Sequence, residues 1–135
     1  MIRMDGKAAI AILINKENKF LFYLRDNKDT IPYPGYWSIL GGGIEENETF
    51  LEALKRELLE EINYEIKNPI FLDSFEDIGK IVHVYKSKID KDVGELTLTE
   101  GQKLGYFTFE EAMELKLPKV LKNFFIQNKD KILTE

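Results

Sequence analysis

Three glutamates, Glu57, Glu60 and Glu61, fall near the end of one predicted helix. Hydrophobic residues recur at helical spacing over residues 49–62, which predicts that one face of this helix is buried. Glu61 lies within that apolar face, Glu57 lies at its edge, and Glu60 lies beyond Glu57 on the same side. A carboxylate on a half-buried face loses hydration, so each of these residues needs a compensating partner.

A divalent cation would supply that partner. Like charges three and four residues apart repel each other, and negative charge in the last turn of a helix opposes the helix dipole. Mg²⁺ takes oxygen ligands and is often held by one or two carboxylates together with the phosphates of a substrate. The alternative interpretation is a solvated, glutamate-rich helix face, because runs of charge are usually exposed.

A longer pattern surrounds the glutamates and favours the first interpretation. Gly42 is followed after five residues by Glu48, and after seven more by residues 56–61, Arg-Glu-Leu-Leu-Glu-Glu. This spacing resembles the Nudix box of the Nudix hydrolases, Gly-x5-Glu-x7-Arg-Glu-U-x-Glu-Glu-x-Gly-U, where U is a bulky apolar residue. Asn63 stands where the family has glycine. Because asparagine tolerates the left-handed conformation that helix ends commonly require, we expect Asn63 to adopt it.

The resemblance extends beyond the box and covers most of the chain. Residues 31–43, with a tryptophan and consecutive glycines, are similar to the family's approach to the box. Residues 99–107 are similar to a later segment from which many members supply one more acidic ligand. The resemblance implies the Nudix fold, an α/β/α sandwich with a mixed β-sheet.

The local sequence patterns predict the same mixture of elements. Capping boxes are expected where Thr49 precedes Glu52 and where Thr108 precedes Glu111, which predicts helices over 49–62 and from 108 to about 115. A terminal helix is predicted to start near Pro118. Strands are predicted over residues 7–15, 19–25, 37–40, 70–75, 81–87, 95–99 and 104–107. We expect residues 1–135 to form a single Nudix hydrolase domain.

The resemblance also implies a reaction. Nudix hydrolases use water and a divalent metal ion, here Mg²⁺ or Mn²⁺, to cleave a phosphoanhydride bond in a nucleoside diphosphate linked to a variable group. It implies that Glu57 and Glu61 are metal ligands. Glu60 is either a ligand or the base that deprotonates water, since family members differ on this point. The carbonyl of Gly41 is a further candidate ligand, because a glycine-rich loop lets backbone approach an ion closely.

Other box residues are expected to position these groups. Arg56 is predicted to orient a box glutamate by a charge-assisted hydrogen bond. Glu48 is predicted to brace the junction between loop and helix, and Gly42 and Asn63 complete the structural motif. Glu100 is a candidate for a further metal ligand or base, with Glu95 as its competitor, and the alternative is a solvated loop acid.

Substrate contacts are less strongly indicated. Trp37, Tyr33 and Tyr36 are candidates for stacking on a nucleobase, although aromatic residues beside a strand are more often part of the core. Arg25 is a candidate phosphate contact, and an arginine at the end of a strand needs no such explanation. His83 lies in an apolar strand, where a structural histidine is favoured over a catalytic one.

Composition excludes several classes of function. The 135 residues are 44% hydrophobic, carry a formal charge of -5 with a pI near 5.1, and include no cysteine. Disulfides and thiolate chemistry are therefore excluded, and a general nucleic-acid partner is not expected. The short apolar run over residues 8–14 predicts a buried strand, not a signal peptide or membrane segment, so a cytoplasmic location is expected. The open edges of a small sheet favour a homodimer.

Three functions remain open from the sequence. The leading one is hydrolysis of a nucleotide-type pyrophosphate, with a nucleoside triphosphate cleaved to monophosphate and pyrophosphate as the favoured reaction. Proline near Lys80 and tyrosine near Val82, typical of two other Nudix substrate classes, are absent. The second is a ligand-sensing Nudix domain that regulates a partner without turnover, which often lacks box glutamates. The third, RNA decapping, would require a basic groove.

Overall fold

The computed structural model describes residues 6–134. Within this range the chain forms strands, α-helices and one short 3₁₀ turn at Val93–Glu95. The strands are β1 (Lys7–Ile14), β2 (Phe20–Leu24), β3 (Trp37–Ser38), β4 (Leu40–Gly43), β5 (Ile70–Asp77), β6 (Lys80–Lys88) and β7 (Lys103–Phe107). The helices are α1 (Phe50–Ile62), α2 (Phe109–Met113), α3 (Lys119–Gln127) and α4 (Lys129–Leu133).

The strands form one mixed sheet. Its main order is β3-β2-β1-β6-β5, with β4 paired to β1 and β7 paired to β2. Strands β1 and β6 run parallel along their whole length, and the other pairs are antiparallel. Strands β1 and β2 pair only at Ile14 and Phe20, next to their connecting turn. At the other end of β1, strand β4 takes the place beside it, with Ala9 opposite Gly42. The glycine segment is thereby built into the sheet.

Helices cover both faces of the sheet. The odd-numbered residues of β1 pack against Leu54, Leu58 and Ile62 of α1. The even-numbered residues face the other way, and Ile12 packs in a second cluster with Phe125 of α3. This alternation is what a strand buried on both sides requires. The predicted α/β/α sandwich with a mixed sheet is confirmed.

Two details of the predicted elements are wrong, and one further helix was not predicted. Residues 95–99 do not form a strand, although Leu96 and Leu98 alternate with polar residues and pack against the α1 face. The backbone of this segment is instead hydrogen-bonded to the end of α1, where the N–H of Thr97 donates to the carbonyl of Ile62. The strand predicted over 37–40 is divided into β3 and β4, and the terminal helix is followed by the separate helix α4.

Strand β5 forms one edge of the sheet. Its Ile70 and Phe71 side chains are exposed, so this edge is a surface on which the predicted homodimer could form. Asp73, Glu76 and Asp77 lie on the same strand and would repel a second copy. The oligomeric state stays a prediction. None of the helices formed by residues 6–134 is long and apolar enough to cross a membrane.

Candidate active site

Helix α1 presents the three glutamates, and both of its ends are capped as predicted. At the N-terminus, Thr49 and Glu52 form the reciprocal hydrogen bonds of a capping box. At the C-terminus, Asn63 is left-handed, with φ 54° and ψ 44°, and its N–H donates to the carbonyl of Leu59. The caps fix where the helix begins and ends, and hence which side chains face strand β4.

Two successive glycines of β4 allow the carboxylates to lie directly against the strand. The N–H of Gly41 donates to Oε1 of Glu61 over 3.1 Å. A Cβ on Gly41 would lie 2.2 Å from the carbonyl oxygen of Ala9. A Cβ on Gly42 would lie 2.5 Å from the carboxyl carbon of Glu57. The absence of a side chain at Gly42 therefore gives the Glu57 carboxylate its place, and the absence of one at Gly41 lets β4 pair closely with β1 while its N–H contacts Glu61.

The positive charge near Glu57 and Glu61 is not enough to balance their two carboxylates. Burial raises the pKa of Glu61 to about 8, and repulsion by Glu57 is the next cause. Burial also raises the pKa of Glu57, while its hydrogen bond with Arg56 opposes the rise. At neutral pH, without a cation, the Glu61 carboxyl is therefore mostly protonated.

Arg56 connects the helix to the loop that precedes it. Its Nε donates to Oε2 of Glu48 over 2.6 Å, and its Nη2 donates to the carbonyl of Gly43 over 3.0 Å. Its Nη1 donates to Glu57 over 2.9 Å and to Glu60 over 3.2 Å. The hydrogen bond from Arg56 lowers the pKa of Glu48. Arg56 and Glu48 thus have the geometry expected of positioning residues.

Glu60 differs from its two neighbours in burial. Its side chain is 59% exposed, whereas that of Glu57 is 18% exposed. Glu60 accepts its hydrogen bond from the Arg56 nitrogen that also contacts Glu57, so it lies on the solvent side of the pair. Its role as ligand or base stays a prediction.

The arrangement fits an open site for a hard divalent cation. Among residues 6–134, no three acidic or histidine side chains converge as a closed ligand set. Mg²⁺ does not need one, because it keeps several waters and commonly takes one or two carboxylates plus substrate phosphates. Two crowded, half-buried carboxylates beside a glycine backbone provide that donor set, and the charge of a cation would offset the burial and the mutual repulsion that raise their pKa values.

The segment after the 3₁₀ turn brings Glu100 to the same place. The N–H of Thr99 donates to the carbonyl of Glu61 over 3.0 Å, which ties this segment to the end of α1. The charge of Glu100 contributes to the raised pKa of both Glu57 and Glu61. Glu95 instead accepts a hydrogen bond from the N–H of Asp92 within the turn. Of the two competing acids, Glu100 is the one beside the glutamate pair.

Sequence reasoning missed Tyr23, which contacts Arg25 and lies near enough to Glu61 and Glu100 for their charges to raise its pKa. Arg25 Nη1 donates to the Tyr23 hydroxyl oxygen over 2.7 Å. Burial raises the pKa of Tyr23, Arg25 opposes this, and the charges of Glu61 and Glu100 add to it. The period-two pattern of β2 places Tyr23 on the α1 face and was the available signal.

The aromatic candidates lie away from the glutamate pair. Trp37 packs in the cluster on the sheet face opposite α1. The Tyr33 hydroxyl donates to Asp77 over 2.9 Å, and the ring of Tyr36 lies 4.5 Å from the ammonium of Lys116. Their contact with a nucleobase stays a prediction.

Two further features do not contribute to this site. The His83 ring stacks on Phe50 with centroids 3.5 Å apart, and burial lowers the pKa of His83. This is the packing expected of a structural histidine. A cavity of about 610 Å³ lies at the other end of β6, between Ile14, Tyr64 and Ile132, and shares no residue with the glutamate pair.

Comparison with known proteins agrees with this geometry. The family model described as NUDIX domain matches residues 4–127. The chain therefore belongs to the NUDIX family and is a Nudix hydrolase, as the box predicted. Nudix hydrolases generally need divalent metal ions.

Individual relatives support the same assignment. The chain is 30% identical over 110 residues to CTP pyrophosphohydrolase of Escherichia coli, a match that covers 80% of each protein. It is 33% identical over 64 residues to nucleoside triphosphatase NudI of Salmonella arizonae, covering 47% of this chain and 44% of that protein. The crystal structure of a MutT protein from Methanosarcina mazei superposes with a TM-score of 0.79 at 20% identity, covering 96% of both chains.

Proposed function

We propose that this Nudix hydrolase cleaves a nucleoside triphosphate to the monophosphate and pyrophosphate, with Mg²⁺ or Mn²⁺ as its cation. The observation that carries the proposal is the pair Glu57 and Glu61, half-buried against Gly41 and Gly42 without enough positive charge. The relationship to a CTP pyrophosphohydrolase over 80% of both chains supports a nucleoside triphosphate as the substrate.

The reaction adds one water across one anhydride bond. The water oxygen forms a bond to one phosphorus of the α,β-anhydride, the bridging oxygen leaves with the other phosphorus, and the water proton passes to a base. A bound cation would supply positive charge to neutralise phosphate oxygens and to make water a better nucleophile. The protein must hold that charge, orient the phosphates and accept the proton.

The residues divide these tasks by position. Glu57, Glu61 and the carbonyl of Gly41 would hold the cation against β4. Glu60, on the solvent side, and Glu100, on the neighbouring segment, are the further acids that can serve as ligand or base. Arg56 does not touch substrate in this proposal; it fixes the Glu57 and Glu60 carboxylates by its hydrogen bonds.

Arg25 is the proposed phosphate contact. It lies at the end of β2, on the strand face that carries Tyr23, and Tyr23 is close enough to Glu61 and Glu100 for their charges to shift its pKa. A guanidinium bound to Tyr23 beside a site that would hold a cation can contact the phosphates of an anionic substrate. Nucleobase contact by Tyr33, Tyr36 or Trp37 belongs to the same proposal.

Residues 1–135 are proposed to act as one domain. The two hydrophobic clusters of the described chain lie on opposite faces of the same strands, so neither could be complete without the other. The proposal of a homodimer rests on the exposed β5 edge and is tested by sedimentation.

A hydrolysis panel tests the proposal. The purified chain is incubated with Mg²⁺ or Mn²⁺ and with ordinary and oxidised nucleoside triphosphates, ADP-ribose, dinucleoside polyphosphates and nucleotide sugars. We expect metal-dependent release of monophosphate and pyrophosphate, with CTP among the substrates. Tight binding of one compound, with no turnover of any, would contradict the proposed enzyme function and favour the sensor function.

A further inference from the structure

Arg25 is a cation without an acidic partner, although the charges of Glu61 and Glu100 reach its neighbour Tyr23. Within residues 6–134, no carboxylate lies within ion-pair distance of its guanidinium. Two neutral acceptors hold it instead: the carbonyl of Pro32 accepts from Nε over 3.0 Å, and the Tyr23 hydroxyl accepts from Nη1 over 2.7 Å. A guanidinium has five N–H donors, so these two bonds leave donors available.

Tyr23 is held on both sides of its ring. It packs against the hydrophobic cluster beneath α1, which fixes the ring relative to the glutamate helix. On the other side lies Gly101, at φ +91°, where a Cβ would come within 2.9 Å of the Tyr23 ring and 2.8 Å of the Leu24 carbonyl. The residue before Gly101 is Glu100. The ring therefore fixes the position of its hydroxyl relative to both the helix and the acidic segment.

We propose that Tyr23 is a positioning residue that holds the Arg25 guanidinium toward the phosphate chain of the nucleotide and prevents it from pairing with the metal-binding glutamates. This inference rests on the proposed function, because it assigns Arg25 to the phosphates of that substrate. A carboxylate in place of Tyr23 would orient Arg25 equally well, but it would neutralise the charge that attracts phosphate. A phenol oxygen orients the guanidinium and leaves its charge intact.

The absence of Tyr23 would have two consequences. A long arginine side chain loses rotamer freedom when it binds phosphate, and preorganisation reduces that loss. Without its phenol partner, Arg25 would also be free to turn toward Glu61 or Glu100, where it would compete with the cation for their charge. The first effect weakens substrate binding, and saturating cation suppresses the second, so the loss of Tyr23 should act on binding more than on the chemical step.

A double-mutant cycle tests this proposal. Tyr23→Phe, Arg25→Ala and the double variant are compared with wild type for the Kd of α,β-methylene-CTP with Mg²⁺, by calorimetry. We expect Tyr23→Phe to raise Kd about tenfold, which is the loss of one hydrogen bond to a charged group. In the Arg25→Ala background the same change should raise Kd less than twofold, because Tyr23 acts through Arg25.

Steady-state kinetics give a second readout. Tyr23→Phe should raise KM by a similar factor and leave kcat within about threefold of wild type. Tyr106→Phe is the matched control: it removes another hydroxyl from the same face, whose partner is the Lys91 carbonyl, and should leave Kd and KM unchanged. Thermal unfolding confirms that every variant is folded.

Two results would overturn the inference. One is a Tyr23→Phe protein with wild-type Kd and KM, and the other is an equal effect of Tyr23→Phe with and without Arg25. Neither depends on the proposed function failing. If wild type hydrolyses nucleoside triphosphates and the cycle is additive, only the role of Tyr23 is lost. If wild type hydrolyses nothing on the panel, the proposed function is lost independently of the cycle.

Discussion

Negative charge is stabilised by the protein at one end of the Nudix box and is left without such a partner at the other. At the start of α1, Glu48 accepts two hydrogen bonds from Arg56, and its pKa is lowered. At the end of α1, Glu61 accepts one backbone N–H, and its pKa is raised to about 8. The charge of Glu48 is balanced by Arg56 within the protein, whereas the charged form of Glu61 is stabilised only when a cation binds. The comparison separates residues that hold the site together from residues reserved for a ligand.

The difference between Glu48 and Glu61 has two structural causes, the reach of Arg56 and the glycines of β4. Arg56 reaches Glu48, Glu57 and Glu60, but Glu61 receives no hydrogen bond from it. Gly42 leaves space for the Glu57 carboxylate and Gly41 donates one N–H to Glu61, yet neither glycine offers a charge. A site that must bind a cation reversibly gains from this arrangement, since an internal arginine partner for Glu61 would compete with the metal.

The largest expected effect is that of Glu61→Gln. The amide oxygen can still accept the Gly41 hydrogen bond, but the negative charge for the cation is lost. We expect turnover to fall about 10³-fold, while the metal-free protein is at least as stable as wild type because a poorly solvated acid has been removed. Steady-state hydrolysis and urea unfolding measure the two quantities. Exposed Glu65→Gln is the control and should match wild type. Wild-type turnover by Glu61→Gln would remove this residue from the site.

Gly42→Ala tests whether the glycine exists to admit Glu57. The added Cβ would lie 2.5 Å from the carboxyl carbon, so Glu57 must move by about 1 Å or more, which can lower turnover about 10²-fold. Gly43→Ala is a matched control, because its Cβ would meet nothing closer than the Lys7 carbonyl oxygen at 3.8 Å. Equal kcat values for the two variants would show that Glu57 does not need its observed position.

Glu48→Gln should remove the ion pair between Glu48 and Arg56 at the start of α1. Arg56 would lose its charged partner, so we expect the free energy of unfolding to fall by about 1–2 kcal/mol. Turnover should fall less than tenfold, because Arg56 still contacts Glu57. Urea unfolding measures the expected loss of stability, and a kinetic assay measures the smaller loss of turnover. A variant that is as stable as wild type but inactive would place Glu48 among the catalytic groups.

Taken per pH unit, the pH dependence of stability is the smallest expected effect. The folded-state pKa of Glu61 is about 8, above its usual value near 4.5. Between these values the folded protein holds a proton that the unfolded chain has lost, so metal-free stability should decrease as pH rises through this window. The slope contributed by one such group is at most about 1.4 kcal/mol per pH unit. Urea unfolding between pH 5 and pH 8.5 measures it, and Glu61→Gln should flatten the slope.

Sequence patterns predicted the parts of this site that depend on local interactions. The capping box at Thr49 and the left-handed Asn63 involve residues a few positions apart, and both are present. The burial of Glu61 followed from helical periodicity alone. The Nudix box predicted the family, because its spacing places glycine and glutamate on neighbouring elements.

Contacts between distant segments could not be predicted in this way. Leu96 and Leu98 alternate as residues of a strand would, but the backbone of their segment is hydrogen-bonded to the end of α1. That choice brings Glu100, not Glu95, to the glutamates. Tyr23 resembled an ordinary core residue of β2, and its bond to Arg25 depends on where the loop carrying Pro32 folds back.

One measurement tests the central claim most directly: urea unfolding of wild type and Glu61→Gln, each with and without saturating Mn²⁺. The account predicts that Mn²⁺ stabilises wild type, and that Glu61→Gln is at least as stable as wild type without metal but gains little from it. A variant that is less stable without metal and is stabilised by Mn²⁺ as much as wild type would contradict the claim that Glu61 is reserved for a cation.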